Sequence, residues 1–262
     1  MKVIFSYVDF SLKEKKHSKI LKMAAVSNFL AQKHGYETIL FVDKKSRLYF
    51  ENIQYNNIFC LEEQITENIP KSIWSLGKLL AMSQMKEPFI HIDFDILLLR
   101  QLKDDLIKKE FLCLHGEEWL LFNTKIVVDI YKNLNTYIAK PISLNCAIVG
   151  GNNFELINQI AIELVNYALN NKVLLEDINE KLPQKDKCWM LPVIFEQILF
   201  TNLIFNNLKI SYKDNLIIKT PKYEDISSKL IKNGIVHLWA NKEKQVNLNL
   251  IENILKNNNI KY

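Results

Sequence analysis

The order strand, helix, glycine, strand at the start of this chain constrains its fold more than any other feature. Lys2 to Val8 is apolar and β-rich and ends in Ser6-Tyr7-Val8-Asp9, the pattern of a buried strand opening into a loop. Ser18 is placed to cap a helix whose apolar residues Ile20, Leu21, Ala24, Ala25, Phe29 and Leu30 keep helical spacing, and Gly35 supplies a left-handed exit. Glu37 to Val42 follows as a second strand. A crossover helix joins strands that run parallel, and parallel sheets are covered on both faces. The expected class is therefore α/β: a Rossmann-like, mostly parallel central sheet with helices on both faces. At 262 residues and 48% hydrophobic, one domain spanning 1–262 can bury such a core.

The rest of the chain repeats the alternation. Lys45 to Asn52 reads as a short helix and Asn57 to Leu61 as a third strand. Ile73 to Met85 reads as a helix with Ser72 as its cap and Trp74, Leu76, Leu79, Leu80 and Met82 as its apolar stripe. Pro88 to Leu99 is the next strand, and Glu110 to His115 another. Asn123 to Leu134 reads as a helix, Pro141 to Gly151 as a strand ending in two glycines at a turn, and Phe154 to about Asn170 as a long helix. After a polar connector, Pro192 to Asn206 is helical, Lys209 to Tyr212, Asn215 to Lys219 and Ile235 to Leu238 are short strands, and Val246 to Leu255 is a closing helix.

The strand from Pro88 carries Asp93 and Asp95. In an extended chain such residues share a face, about 6 to 7 Å apart, and both carboxylates can lean toward one hard cation such as Mn²⁺ or Mg²⁺ holding a diphosphate. With 11 Asp in 262 residues, 11 × 11/262 gives about 0.5 chance occurrences of Asp-x-Asp, so the pair needs company. Ligands in open α/β sheets bind outside the carboxyl ends of strands, and four polar or glycine-marked stretches fall there. A nucleotide base and ribose suit Ser6, Tyr7 and Val8; metal and diphosphate suit Asp93 and Asp95; a sugar suits Asn145 to Gly150 and Gly151; and His237 can be a further metal ligand. Glu196 and Gln197 lie on an apolar helix, where burial demands partners, which marks them for a catalytic or acceptor-side role. Glu117, Glu118 and Trp119 can form an acceptor shelf, and His91, deeper on its strand, reads as structural.

These residues, in this order, resemble nucleotide-sugar-dependent glycosyltransferases of the GT-A fold, above all the retaining group that includes glycogenin and bacterial lipopolysaccharide galactosyltransferases. The helix bearing Lys78 resembles that group's helix with a basic residue near the donor diphosphate. His91-Ile-Asp-Phe-Asp95 resembles its Asp-x-Asp strand, Asn145-Cys-Ala-Ile-Val-Gly150-Gly151 its Asn-x-Gly stretch beside the donor sugar, and Phe195-Glu-Gln-Ile-Leu199 its Asp-Gln helix start. Val236-His237-Leu-Trp, with Lys242 and Lys244, resembles its metal-binding His and phosphate-binding Lys. The likeness covers roughly residues 1 to 245. It departs at Ala147, where the group has Gly, at Glu196, where it has Asp, and after His237, where its Gly and Pro-Trp are missing.

The resemblance implies transfer of a sugar from a nucleoside diphosphate sugar, UDP-sugar favoured, to a glycan or lipid-linked acceptor, as in bacterial surface polysaccharide synthesis. Retention of configuration is favoured. Residues 1–100 would form the nucleotide-binding half, 101–245 the donor sugar and acceptor half, and 246–262 a C-terminal helix. Asp95 is expected on the metal and Asp93 nearer the ribose and diphosphate. Glu196 or Glu117 would be the base of an inverting alternative. The rivals are a catalytically inactive glycan-binding scaffold of the same fold, a sugar nucleotidyltransferase, which needs a Gly-rich, Arg-containing loop absent from Ser6 to Leu12, and a haloacid-dehalogenase-type phosphatase, whose Thr position is Leu97 here.

Composition narrows the partners. Thirty-four basic and 29 acidic residues give a net charge of +5 with scattered lysines, which suits an anionic nucleotide and does not indicate nucleic acid. The same excess permits peripheral association with an inner membrane leaflet. Cys60, Cys113, Cys146 and Cys188 show no C-x-x-C spacing, so a reducing cytoplasm fits better than a disulfide framework. The N-terminus is too short in apolar residues before Asp9 for a signal peptide, and Cys188 to Phe205 is too polar for a membrane span.

Overall fold

The computed structural model describes residues 1–9, 14–117, 142–187, 189–219, 226–238 and 245–262. Its strands are β1 (Lys2–Tyr7), β2 (Glu37–Val42), β3 (Asn57–Cys60), β4 (Phe89–Ile92), β5 (Ile96–Leu98), β6 (Leu112–Gly116), β7 (Leu144–Gly151), β8 (Leu216–Ile218) and β9 (Ile235–His237). Seven of them form one sheet in the order β3-β2-β1-β4-β7-β6-β8, and β5 pairs with β9 in a second, two-stranded sheet. Within the large sheet β7 alone is reversed: it pairs antiparallel with β4 and β6, while every other pairing is parallel. The carboxyl ends of six strands therefore share an edge with the amino end of β7.

The βαβ start is as expected, although α1 (Glu14–Lys33) begins four residues before Ser18. Gly35 leaves it at φ +81°, a left-handed conformation that glycine adopts without a Cβ penalty. One face of the large sheet is covered by α2 (Leu76–Ser83), α3 (Phe154–Asn170) and the helical run Met190–Leu208, which pack on Ile4, Phe89 and Phe111. The other face, with Phe5, Val42 and Ile90, is covered by α1 and α4 (Gln245–Asn257). Leu76, Leu79 and Leu80 of α2 are fully enclosed, each worth roughly 2 kcal/mol of apolar burial. Asn153 caps α3 by accepting the Leu156 N–H.

Several expectations are corrected. The helix expected from Ile73 starts as a 3-10 turn, Lys71–Ile73, and becomes α-helical only at Leu76. Ser75 and not Ser72 holds its N-cap position, but donates its hydroxyl to the Pro192 carbonyl at 3.0 Å, tying α2 to the Met190–Leu208 run. Trp74 leaves the apolar stripe and is 48% exposed. The polar connector contains a helix, Lys172–Lys181, and Lys209 to Tyr212 is not a strand. The helix expected over 123–134 lies outside the described residues.

Candidate active site

Asp93 and Asp95 do not share an extended strand. β4 ends at Ile92, and a turn closed by the Ile96 N–H donating to the Asp93 carbonyl at 3.0 Å carries the chain into β5 and the second sheet. The turn is anchored to the reversed strand, because the Asp93 N–H donates to the Ala147 carbonyl at 2.9 Å. The two carboxylates consequently serve different neighbours. Asp93 meets Lys78 of α2, and Asp95 meets His237 of β9.

Lys78 is a buried internal cation. Its ammonium lies 2.7 Å from Asp93 Oδ1, donates to the Cys146 carbonyl at 3.1 Å, and donates to Glu196. An ammonium has three N–H groups, and these three acceptors take them. That moves Lys78 away from the diphosphate-binding role its position suggested. Burial works to lower the Lys78 pKa, but Asp93 and Glu196 together outweigh it, so the net shift is upward and the charge is kept. Burial, with Glu196 and Asp95 added, raises the Asp93 carboxyl above the usual range despite Lys78. Glu196 and Gln197 sit on a π-helical stretch, Ile194–Phe200, inside the longer helix and not at a helix start. Such stretches are rare and recur at functional sites.

The Asp95 and His237 side chains are each 6% exposed, and His237 Nε2 lies 3.8 Å from Asp95 Oδ1. Two ligands on one ion with bonds of about 2.1 Å stand roughly 3 to 4 Å apart, so this pair fits a shared Mn²⁺ or Mg²⁺. Pairing of β5 with β9 and the Leu238 N–H donating to the Asp95 carbonyl at 2.9 Å hold the two residues together. Among the described residues no group of three or more His, Cys, Asp or Glu side chains is gathered for a metal. A two-residue holder leaves coordination positions for phosphate oxygens and water, as hard cations on phosphates require.

At the amino end of β7, Asn145 Nδ2 donates to Glu117 Oε1 at 2.7 Å, and Asn145 Oδ1 accepts the Ala147 N–H at 3.0 Å. Glu117 follows β6 directly and is 3% exposed; burial, with Glu196 adding, pushes its carboxyl up to about 7 against the Asn145 hydrogen bond. Gln197 Oε1 accepts from the Ser143 hydroxyl at 3.3 Å. Asn145, Glu117, Glu196 and Gln197 thus converge beside the Asp93 turn.

Other predicted residues are not brought there. Because β7 is reversed, Gly150 and Gly151 lie opposite Ile90 and Phe89, at the far end of β4 from Asp93. Their role is close backbone approach: a Cβ would stand 2.3 Å from the Phe89 carbonyl oxygen at Gly150 and 2.2 Å from that of Glu110 at Gly151. Ser6 faces His91, with Oγ and Nε2 2.8 Å apart. Burial first, then Lys78, hold the His91 pKa well below its ordinary value, so the ring is neutral. Tyr7 packs with Phe50 and Phe94, at ring separations of 5.2 and 6.3 Å. Of Ser6, Tyr7 and Val8, only Val8, directly after β1, lines the adjoining 280 Å³ cleft, together with Asp9, Asp43, Lys44, Ile69 and Lys71 among others. Asp43 was overlooked although it stands directly after β2, the same strand-end signal as Asp9; it accepts the Asp9 and Ser46 N–H groups and the Ser46 hydroxyl. Glu118, Trp119, Lys242 and Lys244 lie outside the described residues.

A mostly parallel sheet with one reversed strand, and an acidic turn at its carboxyl edge tied to a second small sheet, define an α/β fold of the GT-A glycosyltransferase kind. The chain belongs to the family of unknown function DUF6734, whose model matches residues 16–262. Among solved structures it is similar to galactosyltransferase LgtC in complex with donor and acceptor sugar analogues, with 10% identity, a TM-score of 0.55, and coverage of 98% of this chain and 96% of that one. It is also similar to an active-site mutant of LgtC, with 11% identity, a TM-score of 0.56 and the same coverage. At these identities the likeness is one of fold. No curated protein matches the sequence. No described helix is long and apolar enough to cross a membrane.

Proposed function

We propose that this protein is a glycosyltransferase that moves a sugar from a nucleoside diphosphate sugar, UDP-sugar favoured, to a hydroxyl of a glycan or lipid-linked acceptor in bacterial surface polysaccharide synthesis. The observation that carries this reading is the Asp95–His237 pair at the sheet's carboxyl edge, with Asp93 beside it and Asn145 and Glu117 one and two strands away. The cleft at the ends of β1 and β2, lined by Val8, Asp9, Asp43 and Lys71, supports a base and ribose there. Asp95 and His237 would hold Mn²⁺ or Mg²⁺, with Asp93 adjoining. When bound, such an ion stabilises the charge that gathers on a departing diphosphate.

The chain's own residues would do the rest. Lys78 fixes Asp93 and Glu196 relative to one another and offsets part of their charge, so the acidic centre does not repel an anionic donor at full strength. Ser143 holds the Gln197 amide toward the same centre. Retention of configuration follows the resemblance to the glycogenin group, and the scattered positive charge suits peripheral association with a cytoplasmic membrane face. A thermal-shift screen of UDP-, GDP- and CMP-sugars with Mn²⁺, followed by a turnover assay on the best donor, tests the reading. Metal-dependent stabilisation with turnover supports it. Stabilisation without turnover identifies an inactive binding fold, and no stabilisation by any donor overturns both.

A further inference from the structure

We propose that Asn202 is a positioning residue for the transfer reaction: it pins the chain at Ile142 so that Ser143 holds the Gln197 amide in its working orientation. This rests on the reading above. Asn202 is 5% exposed, accepts the Ile142 N–H through Oδ1 at 3.1 Å and donates through Nδ2 to the Ile142 carbonyl at 2.6 Å. One side-chain amide thus satisfies both backbone groups of a single residue, as a neighbouring strand would. Nδ2 also donates to the Ile198 carbonyl at 2.7 Å, which fixes the amide on its own helix.

Ile142 leads directly into Ser143, and Ser143 serves two residues at the amino end of β7. Its carbonyl accepts the Glu117 N–H at 2.8 Å, and its hydroxyl donates to Gln197 Oε1 at 3.3 Å. With Oε1 taken, the Gln197 NH₂ is turned away from Ser143. Among the described residues it meets no acceptor, and Gln197 is only partly buried. Two fixed N–H groups are therefore left for a substrate.

The π-helical stretch makes this arrangement possible. Gln197 and Asn202 are five residues apart, and at 3.6 residues per turn their side chains would leave a regular helix about 140° apart. The wider i→i+5 turn over Ile194–Phe200 brings them toward one side, where both reach Ile142 and Ser143. Thr201, between them, donates its hydroxyl to the Gln197 carbonyl at 2.7 Å and holds that turn. A misplacement of about 1 Å at a reacting centre can cost about 100-fold in rate even when its cause lies outside the centre.

The test is steady-state transfer from the best UDP-sugar with Mn²⁺, using the full chain as wild type, Asn202→Ala, Ser143→Ala and the double variant, with folded fractions matched by circular dichroism. Each single variant is expected to lose about ten-fold or more in kcat while KM for the donor stays within about two-fold, because the amide matters most where charge develops. The double variant should be no slower than the slower single one, since Asn202 acts through Ser143. Asn202→Asp adds a rescue: its carboxylate has no proton for the Ile142 and Ile198 carbonyls, whereas the neutral acid can donate to Ile142 while accepting its N–H. Its kcat relative to wild type should rise about five-fold or more from pH 8 to pH 5.5. An unchanged kcat in Ser143→Ala, losses that multiply in the double variant, or a folded Asn202→Asp protein whose ratio does not move with pH overturns the proposal. A wild type that turns over no UDP-sugar overturns the functional reading and this proposal with it.

Discussion

Lys78 Nζ stands 2.7 Å from Asp93 Oδ1 while the same ammonium is hydrogen-bonded to Glu196, 118 residues further along the chain. One buried cation thereby ties α2, the acidic turn at the sheet's edge and the π-helical stretch packed on the same face as α2. Removing one member of a buried charge network leaves the others uncompensated, which costs about 3 to 5 kcal/mol. Lys78→Met is expected to lose that much in urea unfolding, and Lys78→Met with Glu196→Leu to recover a large part of it. A single variant as stable as wild type would show that the cation is not integral to the fold.

Gly150 and Gly151 make a second prediction, which separates the fold from the site. A Cβ at either would stand 2.2 to 2.3 Å from a neighbouring strand's carbonyl oxygen. Gly151→Ala should lower stability by more than about 2 kcal/mol through displaced backbone. Its folded fraction should bind nucleotide like wild type, because the glycines lie at the opposite edge from Asp93. Weakened nucleotide affinity in well-folded protein would return these glycines to the donor site.

The Glu117 carboxyl supplies a pH-dependent test. Its folded pKa is raised from 4.5 to about 7, mainly by burial. A raised folded value means that the folded state holds its proton more tightly, so this group's stabilising contribution is complete below about 4.5 and is lost as pH rises through about 7. Glutamine does not titrate. Glu117→Gln should therefore gain on wild type between pH 5 and pH 8, by on the order of 3 kcal/mol if the whole shift is expressed. Urea midpoints at the two pH values measure it, and a difference that does not change with pH contradicts the raised pKa.

What was legible in the sequence follows from where the information is local. The first βαβ unit, the Phe154–Asn170 helix and the closing helix were readable because helical spacing and caps are written in neighbouring residues. The turn at Asp93 to Asp95 was not, because Ile96, Leu97 and Leu98 are as apolar as the strand before them, and their departure to pair with β9 is a long-range choice. The reversal of β7 was equally hidden: its all-buried pattern is the same in either direction, so Asn145 was placed at the correct edge and the two glycines at the wrong one. Lys78 was legible as a residue of interest but not as an internal cation, since its acceptors come from β4, β7 and the π-helical stretch.

The central claim is that Asp95 and His237 hold the metal that serves a nucleotide-sugar donor, and Mn²⁺-dependent hydrolysis or transfer of the best UDP-sugar by wild type and Asp95→Asn tests it most directly. With matched circular dichroism and unfolding midpoints, the variant is predicted to lose about 100-fold or more in rate, the usual cost of removing a charge-stabilising group at a reacting centre. Undiminished, metal-dependent turnover in a folded Asp95→Asn protein would contradict the account.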